Sequence, residues 1–200
     1  MLIILNCFVF YLEITAPDFE QFIYQYAFIP VEFNIFSPVS YFYIFTSIFM
    51  HGGLFHILSN MWFLHIFGDN IEDSMGHVKY LLFYLLAGVA ATLAQFVISP
   101  LSSIPLVGAS GAIAGVAGAY FVLFQRAKIR TLITLAIYIT TVDLPAWIFL
   151  GLWFLLQIFS GFTSFDPAGD GGVAWFAHIG GFLFGWIAAP FIRRKRNEMV

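Results

Sequence analysis

The chain has 200 residues, of which 61% are hydrophobic, 20% aromatic and only 10% charged, with a net charge of −3 and a mean hydropathy of +0.91. A soluble domain carries about a quarter charged residues, so a water-soluble globular fold is excluded and a membrane protein is expected. The single cysteine, Cys7, rules out an internal disulfide, and nothing in the charge balance points to a nucleic-acid partner.

In chain order, residues 1–15 form a short first span, apolar from Leu2 to Leu12. It has no basic leading region and no small-residue cleavage site, so it does not read as a signal peptide. Residues 16–50 hold Asp18, Glu20, Glu32, Pro17, Pro30 and Pro38 among many aromatics, with no basic residue. This is expected to be a long external loop that hugs the membrane with short helical pieces. A second span covers 53–68 and is closed by Gly68, Asp69, Glu72 and Asp73. Residues 80–125 contain no Asp, Glu, Lys or Arg, and Pro100, Ser102, Ser103 and Pro105 divide them. Spans three and four are therefore placed at 78–98 and 109–126. Residues 131–142 are apolar but too short to cross, and are read as an interfacial piece or a helix extension. The fifth span is 145–161, a loop follows around Asp166 to Gly172, and the sixth span is 173–192.

All eight Lys and Arg residues lie at Lys79, at Arg126, Lys128 and Arg130, and at Arg193, Arg194, Lys195 and Arg196. Alternating six spans puts every one of them on a single side, as the positive-inside bias requires of the cytoplasmic face; five or seven spans lose this agreement. The expected architecture is an all-α polytopic membrane protein, a single six-transmembrane-helix bundle with both termini cytoplasmic, in a prokaryotic cell (inner) membrane.

Polar groups inside these apolar spans are costly and functional by default. Three segments hold them: His56 to Asn60, Gly108 to Gly111, and Ala177 to Gly181. Counted along helices rising 1.5 Å per residue, Ser110 is roughly 24 Å from Arg126, His178 roughly 22 Å from Arg193, and His56 roughly 20 Å from Asp69. The three meet at one depth, below the outer surface. Ala174, His178, Gly181 and Gly185 share one helical stripe, with Gly180 on the opposite, exposed side. Gly111, Gly115 and Gly118 share another stripe beside Ser110. Small residues let membrane helices approach backbone to backbone, which a serine needs to reach an imidazole. Glycine stripes alone mean ordinary packing; joined to Ser110 and His178 at matched depth, they point to a catalytic dyad.

Serine needs a base to take its proton, and His178 is available, with no carboxylate near enough for a triad. Ser110 at a helix start offers backbone N–H groups, and His56 and Asn60, one turn apart, offer side-chain donors. For His51 two readings stand, a support at the outer end of the site or a purely structural role. His65 is expected to pack on the other face, and His77 to be solvated at the cytoplasmic boundary. A metal held by His51, His56 and His178 is the weaker reading, since no carboxylate or thiolate accompanies them.

These pieces resemble the rhomboid family of intramembrane serine proteases. The matching residues are His51-Gly52-Gly53-Leu54-Phe55-His56-Ile57-Leu58-Ser59-Asn60, Gly108-Ala109-Ser110-Gly111, and Ala177-His178-Ile179-Gly180-Gly181 continuing to Gly185; Gly68, Glu72 and Gly76 also fit a family pattern. The resemblance implies Ser110 as nucleophile, His178 as base, and His56, Asn60 and the Ser110 N–H as oxyanion hole. It implies single-span transmembrane protein substrates cut near the outer boundary, no cofactor, no metal, and residues 161–172 as a cap over the site.

Two departures stand out. The first loop lacks the family's Trp-Arg pair. Ala114 occupies the position where some members stack an aromatic on the base, so Phe176, Trp175 or a neighbouring helix must hold His178. The competing reading is a non-catalytic rhomboid-like protein that binds membrane helices for quality control. Such relatives lose Ser or His, and this chain keeps both. A transporter would spread its polar residues through the depth instead of gathering them at one level. The topology predicts that a cysteine replacing Gly169, with Cys7 removed, reacts with an impermeant thiol reagent from outside intact cells. Labelling only after lysis would reverse the orientation.

Overall fold

A computed structural model describes residues 1–135, 138–163 and 172–193. The central part of the expected cap, residues 164–171, and the tail residues Arg194, Lys195 and Arg196 lie outside the described residues. Eight α-helices are present among those described: α1 (Leu2–Thr15), α2 (Phe19–Tyr26), α3 (Pro38–Ser47), α4 (Leu54–Met75), α5 (His77–Ile98), α6 (Ser110–Leu123), α7 (Ala146–Thr163) and α8 (Trp175–Ile192). By length and composition α5, α7 and α8 can each cross a membrane, and α1 and α6 are apolar but shorter.

Local chemistry sets the boundaries. Pro17 holds Ala16 extended (φ −65°, ψ 146°) and ends α1, because the residue before proline is barred from the helical region. Asp18 then caps α2, its side chain accepting the Gln21 N–H at 2.9 Å. Pro38 starts α3 in the first-turn position, where its missing N–H costs nothing. A single residue, Gly76 with φ 84°, joins α4 to α5, a conformation that favours glycine. The loop elements strap the strand of chain before α6. Leu106 N–H donates to the Phe28 carbonyl at 2.8 Å, Val31 N–H to Ser102 at 3.0 Å, and Gly108 N–H to Ser47 at 3.0 Å.

The structure corrects the expectation of a purely α fold. The described residues of the 131–142 stretch are not a helix extension. They belong to two antiparallel strands, β1 (Lys128–Leu135) paired with β2 (Tyr138–Pro145), in register from Lys128 opposite Pro145 to Leu135 opposite Tyr138. Thr, Ile, Val and Tyr crowd this stretch, and such side chains favour the pleated surface over a helix. Ile129 turns inward while Arg130 and Asp143 pair at 3.2 Å on the outside.

The core is centred on α6, where every residue from Gly111 to Tyr120 is buried. A helix covered on all sides must be ringed by other helices, and here α4, α5, α7 and α8 ring it. The inner face is built of Gly and Ala. A Cβ at Gly185 would collide with the Gly115 carbonyl oxygen, one at Gly181 with that of Gly111, and one at Gly118 with that of Phe182. A Cβ at Gly115 or Gly111 would strike Ala87 or Ala91 of α5. The expected stripes therefore pack α6 on α8 along one side and on α5 along another.

Gly180 is not on an exposed face. Its absent Cβ faces Ala94 and the Ala90 carbonyl of α5, so α8 is wedged between α5 and α6. Gly180→Ala and Gly185→Ala should each lower the thermal unfolding temperature in detergent, by the roughly 1–3 kcal/mol typical of overpacking. Gly151→Ala, whose Cβ meets only Phe121 at 3.5 Å, should leave it unchanged. Equal tolerance at positions 180 and 151 would contradict the wedge.

Candidate active site

Ser110 is the first residue of α6, preceded by Ala109, and no side chain caps this helix start. Its first-turn N–H groups thus have no partner in a preceding turn. His178 sits in the first turn of α8, where its N–H donates to the Ala174 carbonyl at 3.3 Å. The tight contact of α6 with α8 brings the two together, with Ser110 Oγ 2.9 Å from His178 Nε2. His56 lies in the first turn of α4, and Asn60 one turn further. Asn60 is 6% exposed, and its Nδ2 has no hydrogen-bond partner. Ser110, His178, His56 and Asn60 all border one cavity of about 690 Å³, which Gln95 and Ser99 of the α5 end also line.

Gly108 fixes how closely these parts meet. Its φ is +127°, and a Cβ there would stand 2.8 Å from both Cε1 and Nε2 of the His56 ring. Backbone at this point presses against the imidazole, which leaves room for no side chain.

His51 is fully buried, precedes α4 and does not line the cavity. Its ring meets that of His56 edge-on, with centroids 5.2 Å apart. Its backbone N–H donates to both carboxylate oxygens of Glu13, at 3.1 and 3.2 Å. Glu13 had not been singled out from the sequence. The signal was a lone carboxylate in the apolar first segment, where such a group is expensive unless used.

His178 is held from α7 and from its own helix. Trp153 lies 6.1 Å from its ring at 33°, and Trp175 lies 6.2 Å away edge-on. Phe176 instead meets Phe162 edge-on at 6.0 Å. The group on Nδ1 is Gln157 of α7, whose Oε1 is 2.7 Å away. Reading the sequence for acids passed over this amide. Ala114 is buried in the core between helices. His65 is exposed on the outer surface of α4, not packed, and His77 bonds Glu72 at 2.6 Å at the far end of that helix. Neither belongs to the site.

A family model described as Rhomboid domain matches residues 38–195. Rhomboid protease GluP of Bacillus subtilis is 35% identical over 147 residues, which cover 72% of this chain and 24% of that protein. Rhomboid protein 1, mitochondrial, of Saccharomyces cerevisiae is 28% identical over 193 residues, covering 91% of this chain and 51% of the relative. Presenilin-associated rhomboid-like protein A, mitochondrial, of Danio rerio is 30% identical over 161 residues, covering 77% of this chain and 39% of the relative. The chain thus spans a quarter to a half of the length of these relatives. They come from a bacterium and from mitochondria, so the similarity assigns a membrane and not one kind of cell.

The crowding at Gly108 yields a prediction. Gly108→Ala should lower the thermal unfolding temperature in detergent, as strain at a positive φ and the collision with His56 together cost about 1–3 kcal/mol. Adding His56→Ala removes the ring that is struck, and should recover part of the loss in a double-mutant cycle. Strictly additive losses would show that the ring and the backbone do not press on each other.

Proposed function

Because the chain belongs to the rhomboid family, we propose that it is an intramembrane serine endopeptidase that hydrolyses peptide bonds of single-span transmembrane proteins near the outer membrane boundary. The observation that carries this reading is the 2.9 Å approach of Ser110 Oγ to His178 Nε2 inside the cavity.

The six helices α1, α4, α5, α6, α7 and α8 are the crossing elements in this proposal, with both ends of the chain on the basic, cytoplasmic side. A 14-residue α6 is about 21 Å long and falls short of a hydrocarbon layer about 30 Å thick. With its Leu123 end at the cytoplasmic boundary, Ser110 lies roughly 9 Å inside the opposite boundary. A cavity bordered by polar side chains lets water reach that depth.

The chemistry follows from the groups in place. His178 Nε2 takes the proton of Ser110 as Oγ attacks the scissile carbonyl. The carbonyl oxygen gains negative charge, and donors already aimed at it lower the barrier. Asn60 Nδ2 is free to donate, the Ser110 N–H is at a helix start, and His56 contributes a ring N–H. The protonated His178 then gives its proton to the departing amine, leaving an acyl-enzyme. Water, activated by the same base, releases the new carboxyl end and restores Ser110.

The test is cleavage of a model single-span substrate by purified protein in detergent. Ser110→Ala and His178→Ala should each abolish turnover with the fold intact, because the pair acts as a unit. His56→Ala and Asn60→Ala should each lower kcat by roughly 10- to 1000-fold, the range for a lost oxyanion donor. Turnover surviving in Ser110→Ala would refute the proposal. Substrate binding without cleavage by the unaltered chain would favour a helix-binding role instead.

A further inference from the structure

We infer that Gln157 is a positioning residue that sets the proton on His178 Nδ1, and so keeps Nε2 free to act as the base toward Ser110. This rests on the dyad reading above. Gln157 is only 6% exposed and sits in an apolar helix. A buried amide there is costly unless both of its ends are used.

Both ends are used, and they fix which way the amide points. Oε1 is 2.7 Å from His178 Nδ1, and Nε2 donates to the Trp153 carbonyl one turn back, at 3.4 Å. The reverse orientation would set the amide oxygen against the Trp153 carbonyl oxygen, two acceptors with no proton between them. The oxygen therefore faces the ring. An acceptor at Nδ1 requires a donor there, and a neutral imidazole carries only one N–H. Nε2 is then the bare nitrogen, 2.9 Å from the Ser110 hydroxyl that donates to it. The opposite tautomer would leave Nδ1 and Oε1 in repulsion and give Ser110 an N–H in place of a base.

Orientation follows as well. Trp153 is on the same helix as Gln157 and lies beside the imidazole at 6.1 Å, so one helix supplies both a wall and a hydrogen-bond acceptor. This accounts for how the ring is held although Ala114 offers nothing to stack. The acceptor is neutral, so the proton stays on the imidazole throughout and no third group exchanges it.

The experiment uses the full-length protein in detergent with 15N-labelled histidine. His178 ring signals are identified by their loss in His178→Ala. The unaltered chain should show a single neutral tautomer protonated at Nδ1. Gln157→Leu, similar in volume and apolar, should show mixed or reversed protonation. It should also lower kcat by roughly 10- to 100-fold with KM nearly unchanged, a share of what general base catalysis contributes. Gln157→Glu keeps an acceptor oxygen at the same reach and should restore most of the rate. Should Gln157→Leu fail to fold, Gln157→Met, unbranched and of like length, serves in its place. Retention of the Nδ1–H tautomer and of kcat in the apolar variant would overturn the inference. The ring signals are read without substrate. An unaltered chain that fails to cleave yet loses its tautomer preference on substitution would refute the protease reading and leave the role of Gln157 standing.

Discussion

Everything in this site depends on how closely the backbones of α6 and α8 approach. The side of α8 that faces α6 carries glycine at Gly181 and Gly185, each against a carbonyl of α6. Lipid offers no hydrophobic drive between helices, so close packing of small residues must supply the association. That packing fixes the one distance the proposed chemistry needs, 2.9 Å between Ser110 and His178. A displacement of about 1 Å in such an arrangement costs on the order of 100-fold in rate. Gly180 against α5 adds a second constraint, since α8 cannot slide away from α6 without meeting Ala94.

A second rule governs the polar groups. In an apolar surround each must find a partner within the chain, and the partners found here are also supports. Glu13 binds the His51 backbone and so anchors the entry to α4. Gln95 accepts the Ala177 N–H at 3.3 Å and ties α5 to the start of α8. Gln157 does the same for the imidazole from α7. Among buried side-chain atoms without a partner in the described residues, Asn60 Nδ2 borders the cavity. In the proposed reaction, a donor left unpaired at that place would meet the charge that forms on the carbonyl oxygen.

Much of this was legible in the sequence. The meeting of His56, Asn60, Ser110 and His178 followed from helical rise and from stripes of small residues, because both are fixed by covalent geometry. The strand pair was not foreseen. Its residues are apolar enough to resemble a membrane segment, and Leu132 beside Ile133 breaks the strict polar–apolar alternation that marks a strand. Gln157 and Glu13 were missed for another reason. A lone polar residue in an apolar helix does not say what it faces, and the partner lies 21 residues away for Gln157 and 38 for Glu13. Gly180 was misplaced because helical angles give faces relative to one neighbour, and α8 has two.

The central claim is that Ser110 is an activated nucleophile made so by His178. A serine-reactive fluorophosphonate offered to the folded protein in detergent, followed by peptide mass spectrometry, tests it without any substrate. The account predicts a single adduct on Ser110, formed in the unaltered chain and lost in His178→Ala with the fold retained. An unlabelled Ser110, or labelling that persists without the imidazole, would contradict it.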